Sequence, residues 1–285
     1  MSSRAALRTL TLILSMVLVP LAQARGPAPT EAPAAGAPAA AAAPRGGPPL
    51  GWQTQLGVGA IVNPDYVGAE DYGVIPIPYF EFRYLDERGT LFFANVPQGI
   101  GGYFLRRRSA TGRSLNLGVA LAPGFNVRGD EIAGLQEVGP ATEARFLVEA
   151  NAGRWSYSAT FAQDVGNGHE GAYLDLSVLR QGRIGQRGGF YAIGPVLRIG
   201  DETYKDSLFS VSPEESLPSG LPAYQAEEGL ERAGLQALVS LPLGTGPWRW
   251  TAIGRASRLF DEAAESPVVI DKNQYFFLTS ITRRF

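Results

Sequence analysis

Asn273–Phe285 reads NQYFFLTSITRRF, and the alternation of its side chains decides what kind of sheet this chain builds. Tyr275, Phe277, Thr279, Ile281, Arg283 and Phe285 share one parity. Phe276, Leu278, Ser280, Thr282 and Arg284 share the other. In an extended strand the two sets point to opposite faces. The run is as long as a tilted membrane-spanning strand, which takes roughly 9–11 residues. The last residues of a soluble domain usually fray and are polar, whereas this run finishes on a phenylalanine. A soluble edge strand can carry the same alternation, so the rest of the sequence has to decide.

The pattern recurs upstream. Trp52, Thr54, Leu56, Val58, Ala60 and Val62 oppose Gln53, Gln55, Gly57, Gly59 and Ile61. Val74, Pro76, Pro78, Phe80, Phe82 and Tyr84 oppose Ile75, Ile77, Tyr79, Glu81 and Arg83. Trp155, Tyr157, Ala159 and Phe161 oppose Ser156, Ser158, Thr160 and Ala162. From Gly51 onward no helical period is evident. The reading is about twelve strands, within a range of roughly 10–12, at 51–62, 74–85, 89–95, 100–107, 115–125, 140–151, 154–163, 171–181, 189–199, 230–243, 248–260 and 274–285.

Alternation alone does not separate a soluble sandwich from a membrane barrel, but loop lengths do. Every second connection is turn-like: DERG, SATGRS, AGR, QGRIGQRGG and GTGP. The others include NPDYVGAEDYG, FNVRGDEIAGLQEVG, DVGNGHEG, the stretch 201–229 and DEAAESPVVIDKN. Short turns at one end and long loops at the other are the mark of a transmembrane antiparallel up-and-down β-barrel, an all-β fold. An even strand number brings both ends of the barrel to the short-turn side. Trp52, Trp155, Trp248 and Trp250 fall near that side, as an aromatic girdle would.

Charge sorts along the same axis. The short-turn side collects Arg106, Arg107, Arg108, Arg113, Arg183 and Arg187, while the long loops hold most of the 27 acidic residues. The arginines are the candidate periplasmic contact rim. The acidic rim suits cations at the lipopolysaccharide layer. On the polar parity lie Glu81, Arg83, Glu143, Arg145, Glu149, Asp175, Arg249 and Arg255. These are candidate lumen charges, either pairing to stiffen the barrel or lining a narrow pore for small or cationic solutes.

Residues 1–24 read as a secretory signal peptide. Arg4 and Arg8 precede the short apolar run LTLILSMVLVPL, and Ala22-Gln23-Ala24 is an A-x-A cleavage site. Residues 25–50 are rich in Pro, Ala and Gly and read as a disordered periplasmic tether. The barrel domain is then 51–285. The chain has no cysteine, so a secreted fold must be held by its core or by barrel closure. Net charge of −2 argues against nucleic-acid partners.

No nucleophile elbow, phosphate loop or His/Cys metal cluster is present, and neither a cofactor nor a metal is expected. The single histidine, His169, lies in VGNGHEG with Asp164 and Glu170 nearby. A hydrolytic dyad is one reading. A solvated loop histidine is the preferred one, and the chain is expected not to be an enzyme.

Three stretches, NPDYVGAEDYGVIPIPYFEFRY, DSLFSVSPEESLPSGLPAYQAEEG and ESPVVIDKNQYFFLTSITRRF, resemble the MipA/OmpV family in the right order. Ser210 stands in LFSV where that family tends to carry glycine. The resemblance implies an integral outer-membrane barrel of a Gram-negative bacterium, reached through the barrel-assembly machinery and surrounded by outer-membrane lipid and lipopolysaccharide. It also implies a scaffold joining a membrane-bound lytic transglycosylase, MltA, to a murein synthase. The terminal strand resembles the C-terminal assembly signal of outer-membrane barrels, carried here by Tyr275, Phe277, Ile281 and Phe285.

Overall fold

The computed structural model describes residues 50–128 and 132–285. The segments read as a signal peptide (1–24) and, apart from residue 50, as a tether (25–50) lie outside the described residues.

Twelve antiparallel strands close into a barrel. They are β1 (Gly51–Pro64), β2 (Tyr72–Asp86), β3 (Gly89–Asn95), β4 (Gly99–Arg108), β5 (Ser114–Gly124), β6 (Ala141–Ala152), β7 (Trp155–Asp164), β8 (Ala172–Ile184), β9 (Gly189–Gly200), β10 (Gly229–Pro242), β11 (Trp248–Leu259) and β12 (Asn273–Arg284). Each strand pairs with its sequence neighbours, and β12 closes on β1 in a register that sets Val58 opposite Ile281. Closure gives every strand a hydrogen-bonded neighbour on both sides, as a bilayer demands, although the short β3 meets β2 only from Glu81 to Asp86. At this seam the strands pack closely. A Cβ on Gly57 would run into the carbonyl oxygen of Ile281, which explains a glycine inside an otherwise bulky strand.

The two faces are inverted relative to a soluble barrel. Outward-facing Trp52, Val58, Val74, Leu235 and Tyr275 are exposed, while inward-facing Gln53, Gln55, Ser240, Thr251, Ser280 and Thr282 are buried. An apolar outside around a polar inside is the membrane-barrel pattern. Trp52 packs edge-on against Tyr84 and Phe92 at 5.3 and 6.0 Å, and Trp250 donates to Thr279 Oγ1 at 2.9 Å. Part of the interior is filled by side chains. Phe93, Tyr103, Ala120 and Leu147 form one inward cluster, and Leu179, Phe190 and Ala192 another.

The strands match the sequence reading to within three residues at every boundary. The long loops do not match, because they contain helices where no helical period was read. α1 (Glu202–Phe209) and α2 (Pro213–Ser219) lie between β9 and β10, and α3 (Asp261–Glu265) lies between β11 and β12. At eight, seven and five residues they are too short to show a 3.6-residue period. Their caps are local. Asp201 accepts from the Tyr204 N–H, and Ser212 and Glu215 form a reciprocal capping box with Pro213 opening the helix. α2 ends at Gly220, whose φ of 71° is the left-handed turn that glycine takes without strain.

These helices and the other long loops pack into a cap with its own apolar core. Tyr204, Leu208, Phe209, Ala226, Leu259 and Ala263 are buried against Ala162 and Tyr173 of the barrel wall. A second cluster joins Tyr66, Ala69, Val211 and Val268. Polar ties cross the loops: Arg128 Nη1 donates to the Ser210 carbonyl at 2.8 Å, Lys205 Nζ to Glu262 at 3.0 Å, and Tyr224 Oη to the Glu262 carbonyl at 2.8 Å. Ser210 is accommodated without a left-handed turn. Its φ is −82°, and its hydroxyl accepts from the Ala226 N–H.

Candidate functional site

Directly under α1, the inward faces of β6 to β9 and the cap share one polar network. Tyr204 is fully buried, and its hydroxyl accepts from Arg198 Nη1 at 3.1 Å. Arg198 also forks onto Asp175 at 2.7 and 2.6 Å, donates to Asn126 at 2.8 Å, and stacks 3.7 Å over the Tyr173 ring. This is the planar bidentate recognition that arginine makes and lysine does not. The Tyr173 hydroxyl donates to Glu143 at 2.8 Å, and Arg145 Nη2 lies 2.7 Å from the same carboxylate.

His169 belongs to this network, which corrects the solvated-loop reading. It is fully buried, with Nε2 3.5 Å from Glu143 and its ring edge-on to Tyr204 at 4.8 Å. Asp164 accepts backbone N–H groups from Gly166, Gly168 and Glu170 at 2.7, 2.8 and 2.9 Å. It therefore shapes the loop that carries His169. Glu170 sits at a positive φ of 56°. The sequence placed His169, Asp164 and Glu170 together. The fold pairs the histidine with Glu143, 26 residues away.

The remaining lumen candidates sit as follows. Glu81 and Arg83 are both buried and lie 2.6 Å apart, and Gln55 donates to Glu81. Glu149 is buried and accepts from Gln98 at 3.1 Å. Arg249 donates to Ser240 Oγ and to the Gly188 carbonyl at the short-turn mouth. Arg255 faces the interior from β11, packed on the Phe276 ring at 5.2 Å. A cavity of about 310 Å³ inside the barrel is lined by Arg145, Glu149, Asp175, Arg198, Arg232 and Arg255 among others.

Among the rim candidates, Arg107, Arg108, Arg183 and Arg187 are exposed and Arg113 is half-buried. Arg106 is different. The register shift between Tyr103 and Leu105 turns it toward the barrel mouth, where it pairs with Asp86 at 2.5 Å and donates to the Gly89 carbonyl. The terminal-strand residues Tyr275, Phe277, Ile281 and Phe285 all face outward and are exposed. The Phe285 N–H donates to Thr54 on β1, extending the closing seam.

Outside the strands, the cap carries several perturbed groups, among them Glu215, Glu262 and Arg128. At Glu215, burial pushes the carboxyl up, but N–H groups from Gln136 and Ser212 and the charge of Arg128 outweigh it, and the net shift is downward. The Lys205 hydrogen bond holds the Glu262 carboxyl below its usual range. Burial lowers the Arg128 guanidinium, against the pull of Glu215.

Among curated proteins, the chain is 32% identical over 135 residues to "Putative outer membrane protein YiaT" of Escherichia coli K12, with 46% of this chain and 52% of that protein covered. The same values hold for the protein of that name from Escherichia coli O157:H7. The chain thus spans about half the length of the curated relatives it matches. Among solved structures, a BenF-like porin from Pseudomonas fluorescens Pf-5 aligns with 9% identity and a TM-score of 0.24, over 82% of this chain and 98% of that one. The family described as "MltA-interacting protein MipA" matches residues 56–285, from the first strand of the barrel to its last, and the chain belongs to that family.

Proposed function

We propose that this outer-membrane barrel is a non-catalytic scaffold, holding periplasmic peptidoglycan-remodelling enzymes at its short-turn rim. The observation that carries this reading is the covered interior. The cap buries Tyr204, Leu208 and Phe209 over one mouth, and ion pairs such as Arg198–Asp175 and Arg145–Glu143 occupy the lumen below. A barrel filled in this way is built for rigidity more than for flow. The family's description supports a lytic transglycosylase as one partner, and a murein synthase is the second that a scaffold would join. The deep burial of His169 supports a positional role for it within the cap.

In this reading the N-terminal tether and the short turns are periplasmic, and the long-loop cap is extracellular. The exposed arginines Arg107, Arg183 and Arg187 then form the surface a periplasmic enzyme meets, with Arg113 beside them. Exposed ion pairs are worth about 0.2–1 kcal/mol each, so one Arg→Ala change has little effect. Replacing Arg107, Arg113, Arg183 and Arg187 together by glutamate should abolish crosslinking to periplasmic enzymes in intact cells while the barrel still assembles. Unchanged crosslinks in an assembled fourfold variant would refute the rim as the contact.

A narrow channel is the second reading, favoured by the interior cavity of about 310 Å³. Planar-bilayer recording separates the two. The scaffold reading expects no stepwise conductance from the native chain, and regular unitary steps would favour the channel.

A further inference from the structure

The interior cavity has one wall of unusual composition. Arg198, Arg232 and Arg255 project from three adjacent strands, β9, β10 and β11, and all three line it. Register sets Arg198 directly opposite Arg232, and Arg255 opposite Gln236, four residues along β10 from Arg232. The three guanidiniums are not equally satisfied. Arg198 is saturated by Asp175, Asn126 and Tyr204. Among the described residues, Arg232 has only a loose approach of its Nε to Glu231, at 3.4 Å. Arg255 makes no ion pair among the described residues, and its buried Nε has no hydrogen-bond partner. Asp175 and Glu231 attract it from a distance, while Arg232 and Arg198 repel it.

A guanidinium does not escape such a site by losing its proton. Arg255 is half-buried; a cation partly withdrawn from water without a hydrogen-bonded counter-charge is costly, and the cost is removed by an anion that offers two oxygens to the fork. The neighbourhood suits such a guest. Gln236 lines the same cavity as a neutral polar group, beside Ser177, which shares a hydrogen bond with Ser158, and Ser257, which donates to the Gln274 carbonyl. The other carboxylates on the lining, Asp175 and Glu149, are already held by Arg198 and Gln98. A cavity of about 310 Å³ corresponds to about ten waters at the liquid share of roughly 30 Å³ each, which is room for a small organic acid or a phosphate.

We propose that the barrel interior binds a small oxyanion, a carboxylate or a phosphate, on Arg255 and Arg232. This is independent of what the rim binds, and it opposes the expectation of a cationic guest.

The test uses the full chain refolded in nanodiscs and titrated calorimetrically at constant ionic strength with succinate, inorganic phosphate and putrescine. Saturable binding of succinate, phosphate or both, with none of putrescine, is the expected result, and which of the two binds names the anion class. Binding of neither by the native chain overturns the proposal without any variant. The R232Q/R255Q double variant, checked for assembly by its heat-modifiable gel shift, should lose affinity by about tenfold or more, and R154Q, at an exposed turn arginine, should not. Native-like affinity in the assembled double variant also overturns it. If the double variant does not assemble, R255K decides. It keeps the charge but not the planar fork, so anion affinity should fall with assembly intact, and unchanged affinity would refute the role of Arg255.

Discussion

Phe209→Ala separates the cap from the barrel. Phe209 is fully buried in the cluster of Tyr204, Leu208, Leu259 and Ala263, and its carbonyl accepts from Ser266 Oγ. Removing a buried phenylalanine ring costs about 3–5 kcal/mol where the site does not collapse. Phe209 takes no part in any strand ladder, so the cost should fall on cap closure and not on the barrel. Lys205 reports on this, being fully buried with its ammonium on Glu262. Trypsin reaches the bond after Lys205 only when the cap opens, and cleavage tracks the open population when closing is fast. A loss of 3 kcal/mol multiplies that population by about 100 or more. Cleavage after Lys205, followed by mass spectrometry on protein refolded in detergent, should therefore accelerate by about two orders of magnitude. The heat-modifiable folded band should persist. Cleavage at the native rate would refute the cap as a separately opening unit. Loss of the folded band would refute it as well, by showing cap and barrel to be one cooperative structure.

The cap should also open in acid. Because the folded pKa of Glu215 is depressed below its ordinary value near 4.5, its contribution is fully present above that value and is lost as pH falls through the folded pKa. Amide exchange across 201–228 should thus rise below about pH 4.5 in the native chain relative to E215Q, and identical pH profiles for the two would count against the link. Sidedness is testable because the chain lacks cysteine. L217C, at a cap residue that is 90% exposed, should label with an impermeant thiol reagent on intact cells and Q186C should not; the reverse pattern overturns the orientation. F285A should lower the assembled fraction in outer-membrane gels, since Phe285 faces outward and extends the β12–β1 seam, and native levels of folded barrel would refute it as an assembly signal.

The barrel was legible because its physics is local. Two-residue alternation and turn chemistry fix where each strand begins and which face it turns outward. The cap was not legible, because its contacts join residues far apart in the chain. Tyr66 reaches Val268, and Arg128 reaches Ser210. A signal did exist in Ser212-Pro213-Glu214-Glu215, a capping box with proline at the first helical position, and it would have located α2. For His169, loop composition pointed to solvent. Nothing in the sequence near it reveals that Glu143 and Tyr204 meet it inside the mouth. The pairing of Arg106 with Asp86 was not legible either, because alternation does not anticipate the register shift between Tyr103 and Leu105.

Arginine serves three different ends in this molecule, and the surroundings decide which. On the rim, Arg107, Arg183 and Arg187 are exposed. Their fields are screened over a Debye length of about 8 Å at physiological salt, so they act collectively and weakly. In the mouth network, Arg198 is nearly buried, and its donors meet Asp175, Asn126 and Tyr204. Removing Asp175 would strand a buried charge, a change that typically costs about 3–5 kcal/mol, far more than a rim pair is worth. Arg255 is intermediate: it is held against Phe276 with its Nε unpartnered, and so it carries the cost of desolvation without the compensation Arg198 receives. A barrel selected for stiffness alone would favour a hydrogen-bonded carboxylate or an apolar side chain at that position. Arginine at this point is better explained by a guest that completes it than by the architecture of the wall.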